Sequence, residues 1–216
     1  MIAILDIDGT LVDSNYFHAM SWFRAFRDHD ITVPIWRIHQ AQGKGGDQLV
    51  IAVTDQETED RLGESLREAE GKHFMPTIDE IRPLDGARDL VVALKDAGHT
   101  VVLASSGKPE EVDHYIDLVG VRDIIDAFTN AEDVEKTKPD PELINRAVEL
   151  GGGKASDAVL VGDTIWDFQA GEAAGVRGLA VLTGGFSAQE LREAGAEEVF
   201  TSVPALREHL EREARG

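Results

Sequence analysis

The segment Asp6-Ile7-Asp8-Gly9-Thr10-Leu11-Val12-Asp13-Ser14 places two carboxylates two residues apart, directly after an apolar run that begins at Ile2. At a strand end the chain leaves the pleat, so both acids can turn toward one pocket, and Gly9 permits the tight turn this needs. Like charges held so close repel, which favours a bound cation. Hard carboxylate oxygens suit Mg²⁺, which takes few protein ligands and keeps water or substrate oxygens. Taken alone, an Asp-x-Asp-Gly after a strand would be a turn and nothing more.

Three later segments repeat the pattern of polar chemistry after an apolar run. Ser105 and Ser106 follow Val-Val-Leu-Ala; alone, a serine pair before a helix is a cap. Lys138 sits in Lys136-Thr137-Lys138-Pro139-Asp140-Pro141, just ahead of a helix. Val159-Leu160-Val161-Gly162-Asp163-Thr164-Ile165-Trp166-Asp167 ends a further strand, and Asp163 and Asp167, four residues apart, are expected to share a helix face. Lys108, two residues past the serine pair, either reaches the substrate or is a solvated charge beside Pro109.

These groups converge only if the elements behind them carry them to one place. Strands are expected at Ile2–Asp6, Thr100–Ala104, Ala127–Thr129, Ala158–Val161 and Leu179–Leu182, each a brief apolar run ending near Gly, Asp or Ser. Such runs suit strands buried on both faces of a parallel sheet. Between them lie amphipathic helices, one marked by Ala87, Leu90, Val91, Leu94 and Ala97 with Asp85 as cap and Gly98 as stop. The alternation predicts an α/β fold: a doubly wound, mostly parallel, Rossmann-like sheet with right-handed crossovers. Val199–Thr201 and a helix from Pro204 are expected to finish its edge. Gly151-Gly152-Gly153 reads as a helix stop.

From Ser14 to about Arg82 the alternation stops and no strand is expected. Tyr16, Ala19, Met20, Phe23 and Phe26 would line one helical face, and Leu62, Leu66, Ala69 and His73 another, with Thr54 and Glu57 as a capping box. This predicts a small inserted α-helical domain over 14–82, and an α/β core over 1–13 and 83–216. An insertion there sits at the carboxyl edge of the sheet, where open α/β folds place ligands. A lid over an active site follows.

Asp6-x-Asp8-Gly9-Thr10, Ser105, Lys138 and Gly162-Asp163-x-x-x-Asp167 resemble the four motifs of haloacid dehalogenase-like hydrolases, of the capped kind that includes phosphoglycolate phosphatases and beta-phosphoglucomutases. The resemblance implies that Asp6 is a nucleophile forming an aspartyl-phosphate, with Asp8 as general acid and then base. It implies Mg²⁺ held by Asp6, Asp163 and the backbone carbonyl of Asp8, with Asp167 acting behind them or through water. Ser105 and Lys138 would bind phosphoryl oxygens, and Gly9, Ser106 and Lys108 would line the phosphate or substrate site. The insert resembles that family's helical cap, which makes His39, Gly43, Lys44 and Gly46 candidates for substrate selection. His18, on the first cap helix, either contacts substrate or fills the hinge. Trp166, inside the fourth motif, either packs under the cap or, on the safer reading, belongs to the aromatic core.

Composition narrows the alternatives. The chain has 216 residues with 21 basic and 41 acidic side chains, a net charge of −20. Such a balance argues against nucleic acid and against an anionic membrane surface. With 42% hydrophobic residues and no Cys, a packed core is expected, while disulfides, thiolate catalysis and Cys-ligated zinc are excluded. The run after Met1 is too short for a signal peptide and lacks a basic flank, so a cytoplasmic protein is expected. The expected activity is a Mg²⁺-dependent phosphatase of small phosphorylated metabolites, as a monomer or homodimer. A beta-phosphoglucomutase-like mutase is the alternative, although such enzymes tend to carry Glu-Asp where this chain has Gly162-Asp163. A dehalogenase would usually lack Asp8, and a non-catalytic phospholigand-binding protein would not keep every acid.

Overall fold

The computed structural model describes residues 1–213; the last three residues of the expected core segment, 214–216, lie outside the described residues. Six strands, β1 (Ile2–Leu5), β2 (Thr100–Ala104), β3 (Ala127–Thr129), β4 (Ala158–Gly162), β5 (Arg177–Val181) and β6 (Ala196–Phe200), form one sheet in the order β3-β2-β1-β4-β5-β6. Every pairing is parallel. The expected architecture is therefore present, with β6 at the edge and its start earlier than the apolar run suggests.

Strand period explains why helices cover both faces. Ala3 and Leu5 of β1 join Val101, Leu103, Val159 and Val161 in one apolar cluster, while Ile2 and Ile4 join Val102, Ala104 and Leu160 in another. Successive side chains point to opposite faces, so a continuous apolar run needs cover twice. The helices are α1 (Asn15–Asp28), α2 (Ile35–Gln40), α3 (Gly46–Val53), α4 (Gln56–Phe74), α5 (Ala87–Asp96), α6 (Pro109–Val119), α7 (Glu142–Leu150), α8 (Ile165–Ala174), α9 (Ala188–Glu193) and α10 (Val203–Glu213). Helices α5, α6 and α10 pack on the first face, and α7 and α8 on the second. Among the described residues no helix is long and apolar enough to cross a membrane.

The chain leaves the sheet after β1, and β2 lies beside β1 on one side while β4 lies on the other. The strand order thus reverses at β1, the switch point at whose carboxyl edge such sheets open a crevice. Helices α1–α4 stand over that edge and share an apolar centre of their own: Ala19, Trp22, Phe26, Val33, Ile38, Leu49, Val50, Val53 and Leu66. The faces differ in detail from the expected stripes. Tyr16 and Met20 are exposed and Trp22 is buried instead, so α1 is rotated relative to the expected stripe. His73 pairs with Asp28 at 2.7 Å, and Phe74 takes the buried place.

Two expected caps move by one residue. Asp55, not Thr54, caps α4 by accepting from the Thr58 amide, because Asp55 is the last extended residue before the helix. Gly86 with φ 76°, not Asp85, precedes α5. Gly151 does end α7.

Leu66 of α4 is fully buried at the centre of the four-helix cluster. Leu66→Ala is expected to cost about 2–5 kcal/mol in chemical denaturation. A loss below about 1 kcal/mol would mean that these helices do not share a consolidated core.

Candidate active site

The carboxyl ends of β1, β2 and β4 deliver most of the polar groups. Asp6 continues the ladder, its amide donating to Val161 O at 2.9 Å, so its side chain emerges at the sheet edge. The chain then curls, with the amides of Leu11 and Val12 both donating to Ile7 O. Gly9 makes the curl possible with φ 75°, and a Cβ there would strike Asn15 and Asp163. After β4, Thr164 caps α8, its hydroxyl and amide both donating to Asp167 Oδ2, at 2.7 and 3.0 Å. Asp163 therefore precedes α8 rather than sharing its face as expected, because the helix starts only at Ile165. Lys138 lies in the loop between β3 and α7 and is 1% exposed.

Asp6, Asp163 and Asp167 bring carboxylate oxygens within 4.8 Å of one another, all buried. Lys138 Nζ is 2.5 Å from Asp6 Oδ1 and 2.7 Å from Asp167 Oδ1. Asp163 accepts from Thr10 Oγ1 at 2.7 Å and from Asn15 Nδ2 at 3.0 Å. Burial, followed by neighbouring acids, raises Asp6 and Asp163 above the usual carboxylate range; Lys138 opposes this at both. Burial would lower Lys138, but Asp167 and Asp6 outweigh it and hold the ammonium charged.

Three buried carboxylates against one ammonium leave an excess of two negative charges if all ionise. That excess is the charge of one divalent cation, and all three donors are the hard oxygens that Mg²⁺ prefers. The residues present thus fit such an ion. Asp8 is not part of this cluster. Its carboxylate turns the other way, accepting from Ser14 Oγ at 2.5 Å and Ser105 Oγ at 3.3 Å, with His18 Nε2 at 3.4 Å. Burial pushes Asp8 up, but the hydrogen bond and charge of His18, then Ser14 and Lys138, outweigh it and hold it below its ordinary value. His18 is in turn raised well above its usual value: burial lowers it, and Asp8 and Glu70 more than compensate.

A cavity of about 130 Å³ lies over this floor. It is lined by Asp6 and Asp8 below, Gly43, Lys44 and Gly46 of the α2–α3 turn, and Ser106 and Lys108 before α6. His18 also faces it, stacked on Phe74 at 3.8 Å between ring centres. The Ser106 hydroxyl is buried without a hydrogen-bond partner. Lys44 Nζ lies 3.6 Å above the Trp166 ring. Trp166 is half-buried and donates to Gln40 O at 3.1 Å, so of its two expected placements it takes the one under the cap and not the one in the aromatic core.

Some expected site residues lie elsewhere. His39 does not line the cavity; its ring stacks between Tyr16 and Phe186 and its Nε2 is 3.0 Å from Gly184 O. Ser105 is wholly buried beneath Asp8, its hydroxyl also accepting from the Gly107 amide at 2.9 Å. Sequence reasoning missed Asn15, Arg67, Glu70 and Glu111, all in the cavity wall. Glu70 was legible only as an acid on the apolar side of α4, one residue past Ala69.

A model of the haloacid dehalogenase-like hydrolase family matches residues 3–181. A validoxylamine A 7'-phosphate phosphatase from Streptomyces hygroscopicus subsp. limoneus is 24% identical over 175 residues, 81% of this chain and 82% of the relative. A phosphoglycolate phosphatase from Mesorhizobium japonicum is 26% identical, covering 95% of this chain and 92% of the relative. Among solved structures, a hydrolase from Pseudomonas syringae superposes with a TM-score of 0.92 at 28% identity, covering 98% of each chain.

The acid cluster predicts a stability effect that needs no turnover. Mg²⁺ at about 100 times its Kd should stabilise the folded chain by about 2.7 kcal/mol, a rise in Tm of about 5–10 °C. The rise should largely vanish in Asp163→Asn. Equal shifts in the two proteins, read by calorimetry, would rule this cluster out as the ion's site.

Proposed function

We propose that this chain, which belongs to the haloacid dehalogenase-like hydrolase family, is a phosphatase of small phosphomonoesters that works through a phosphoenzyme on Asp6. The observation that carries the reading is the pairing of two differently held aspartates at one cavity. Asp6 sits against Lys138 in the acid cluster, and Asp8 is anchored by Ser14 and His18. The phosphatase names of the two relatives support it.

In the first half-reaction an Asp6 carboxylate oxygen attacks phosphorus and the bond to the leaving oxygen breaks, with Asp8 giving that oxygen its proton. In the second, Asp8 takes a proton from water as the water oxygen attacks phosphorus, releasing Asp6 and inorganic phosphate. The two halves need opposite protonation of Asp8. His18 holds Asp8 in the anionic form, which suits the second half. A dianionic phosphate beside it pushes the other way, toward the protonated form that the first half uses.

Lys138 orients Asp6 and offsets charge on the phosphoryl oxygens, while the unpartnered Ser106 hydroxyl is free to donate to one of them. Asp6, Asp163 and the backbone carbonyl of Asp8 would hold Mg²⁺, with Asp167 directly or through water, and the ion supplies charge neutralisation between nucleophile and phosphate. Residues 14–82 act as the lid. Its closure excludes bulk water, and a cavity of about 130 Å³ admits a small metabolite but no phosphoprotein loop. Gly162 leaves no side chain where a mutase-like Glu would stand, and a Cβ there would press on Asp167.

The test is phosphate release from p-nitrophenyl phosphate and a panel of small phosphomonoesters, with and without Mg²⁺. Asp6→Asn is expected to remove essentially all turnover, since no nucleophile remains. Lys138→Ala is expected to lower kcat by about 10²–10³ or more. Near-wild-type release by purified Asp6→Asn would overturn the phosphoenzyme route, and sugar-phosphate isomerisation without net phosphate release would favour the mutase.

A further inference from the structure

Beyond Asp8 the cavity wall is built by the cap and by α6, and this wall has a charge pattern that the phosphoryl chemistry does not use. Glu70 of α4 and Glu111 of α6 both line the cavity, with side chains only 4% and 3% exposed. Glu111 Oε1 is buried and makes no hydrogen bond. Burial pushes the Glu111 carboxyl up to about 7, the mark of an acid whose charge the fold does not fully satisfy.

The cations of the same wall are already engaged. His18 Nδ1 is 3.0 Å from Glu70 Oε1, and its other nitrogen faces Asp8. Lys108 Nζ lies 3.5 Å from Glu70 Oε2 and 3.9 Å from Glu111 Oε1, and donates to Arg67 O at 3.3 Å. Arg67 is held by both oxygens of Glu59, at 2.7 and 3.0 Å. The remaining lining cation, Lys44, is drawn over the Trp166 ring. An anionic leaving group entering here would have to break ion pairs and then face two buried carboxylates. A donor group would find Glu111 Oε1 without a hydrogen bond, and Glu70 oxygens that can each accept a further bond beside His18 and Lys108.

We propose that this wall selects phosphomonoesters whose leaving group carries hydroxyl or ammonium donors, bound by Glu70 and Glu111, and disfavours those carrying a second anion. This rests on the phosphatase reading for the position of the phosphoryl group, and it assigns to this chain a leaving group unlike that of phosphoglycolate.

The experiment measures binding, with Mg²⁺ present, to Asp6→Asn by calorimetry, so that turnover does not enter. The probes are glycerol 3-phosphate and phosphoethanolamine on one side, phosphoglycolate and inorganic pyrophosphate on the other. The donor-bearing pair should bind about tenfold or more tighter, and adding Glu70→Gln with Glu111→Gln should bring the two pairs within about threefold. If that variant does not fold, the ranking on Asp6→Asn alone decides. Equal or tighter binding of phosphoglycolate or pyrophosphate would overturn the proposal, as would no binding by any of the four. Hydrolysis of p-nitrophenyl phosphate by the wild type, whose leaving group has neither feature, separates the two failures. Mg²⁺-dependent release with a reversed ranking sinks only the leaving-group assignment, whereas the expected ranking without release sinks only the catalysis.

Discussion

Buried negative charge at the carboxyl edge of the sheet is the constraint to which the rest of this structure answers. Asp6, Asp163 and Asp167 crowd within 4.8 Å of one another with Lys138 as their ammonium partner. Several charges out of water are tolerable only when each is fixed in place and hydrogen-bonded. Each acid has that support: Asp163 from Thr10 and Asn15, Asp167 from both polar atoms of Thr164, Asp6 from Lys138. These supports come from the first loop, the first cap helix, the α8 cap and the β3–α7 loop. Segments distant in sequence must therefore arrive together before the cluster is stable.

The parallel sheet makes that arrival geometric. All six strands point the same way, so their carboxyl ends share one edge, and the reversal of order at β1 opens a gap there between its neighbours. Apolar burial on two faces fixes strand registers, and registers fix the acids. A one-residue slip of β4 against β1 would turn its side chains to the opposite face and carry Asp163 away from Thr10. Core packing thus acts on the chemistry through register.

The sequence was legible where local rules and global placement coincide. Strand ends with Asp, Ser or Gly mark the sheet edge because continuous apolar runs have one interpretation in an α/β chain, and the helical stretch after β1 stands out by its missing strands. The reading failed where tertiary contact chooses among local options. Tyr16 and Trp22 both fit an apolar face of α1, and only the packing of α2–α4 decides that Trp22 goes in. Asp163 and Asp167 have helical spacing, but the Thr164 cap places the helix start between them. Trp166 could lie under the cap or in the core, and what draws it to the cap is a backbone carbonyl there, invisible in a list of side chains. Glu70 and Glu111 carry no motif, because their meaning comes from facing one another across two separate helices.

The seam between α1–α4 and the sheet differs along its length, and this bears on how a substrate enters. At one end Phe17, Phe74, Ile78 and Ile81 belong to the apolar cluster that also holds β1 and α5, so separation there would expose hydrocarbon. Elsewhere the contacts are polar: Thr137 Oγ1 to Asp47 at 2.7 Å, Trp166 to Gln40, His39 to Gly184, and Lys108 to Glu70. Water replaces such hydrogen bonds with little net change, about 1 kcal/mol each, whereas apolar contact has no such substitute. On the proposed reading of residues 14–82 as a lid, its apolar end is the pivot, and opening about it would break the Lys108–Glu70 pair. Entry and selection are then linked, because the carboxylates that line the closed cavity are among those that hold it closed.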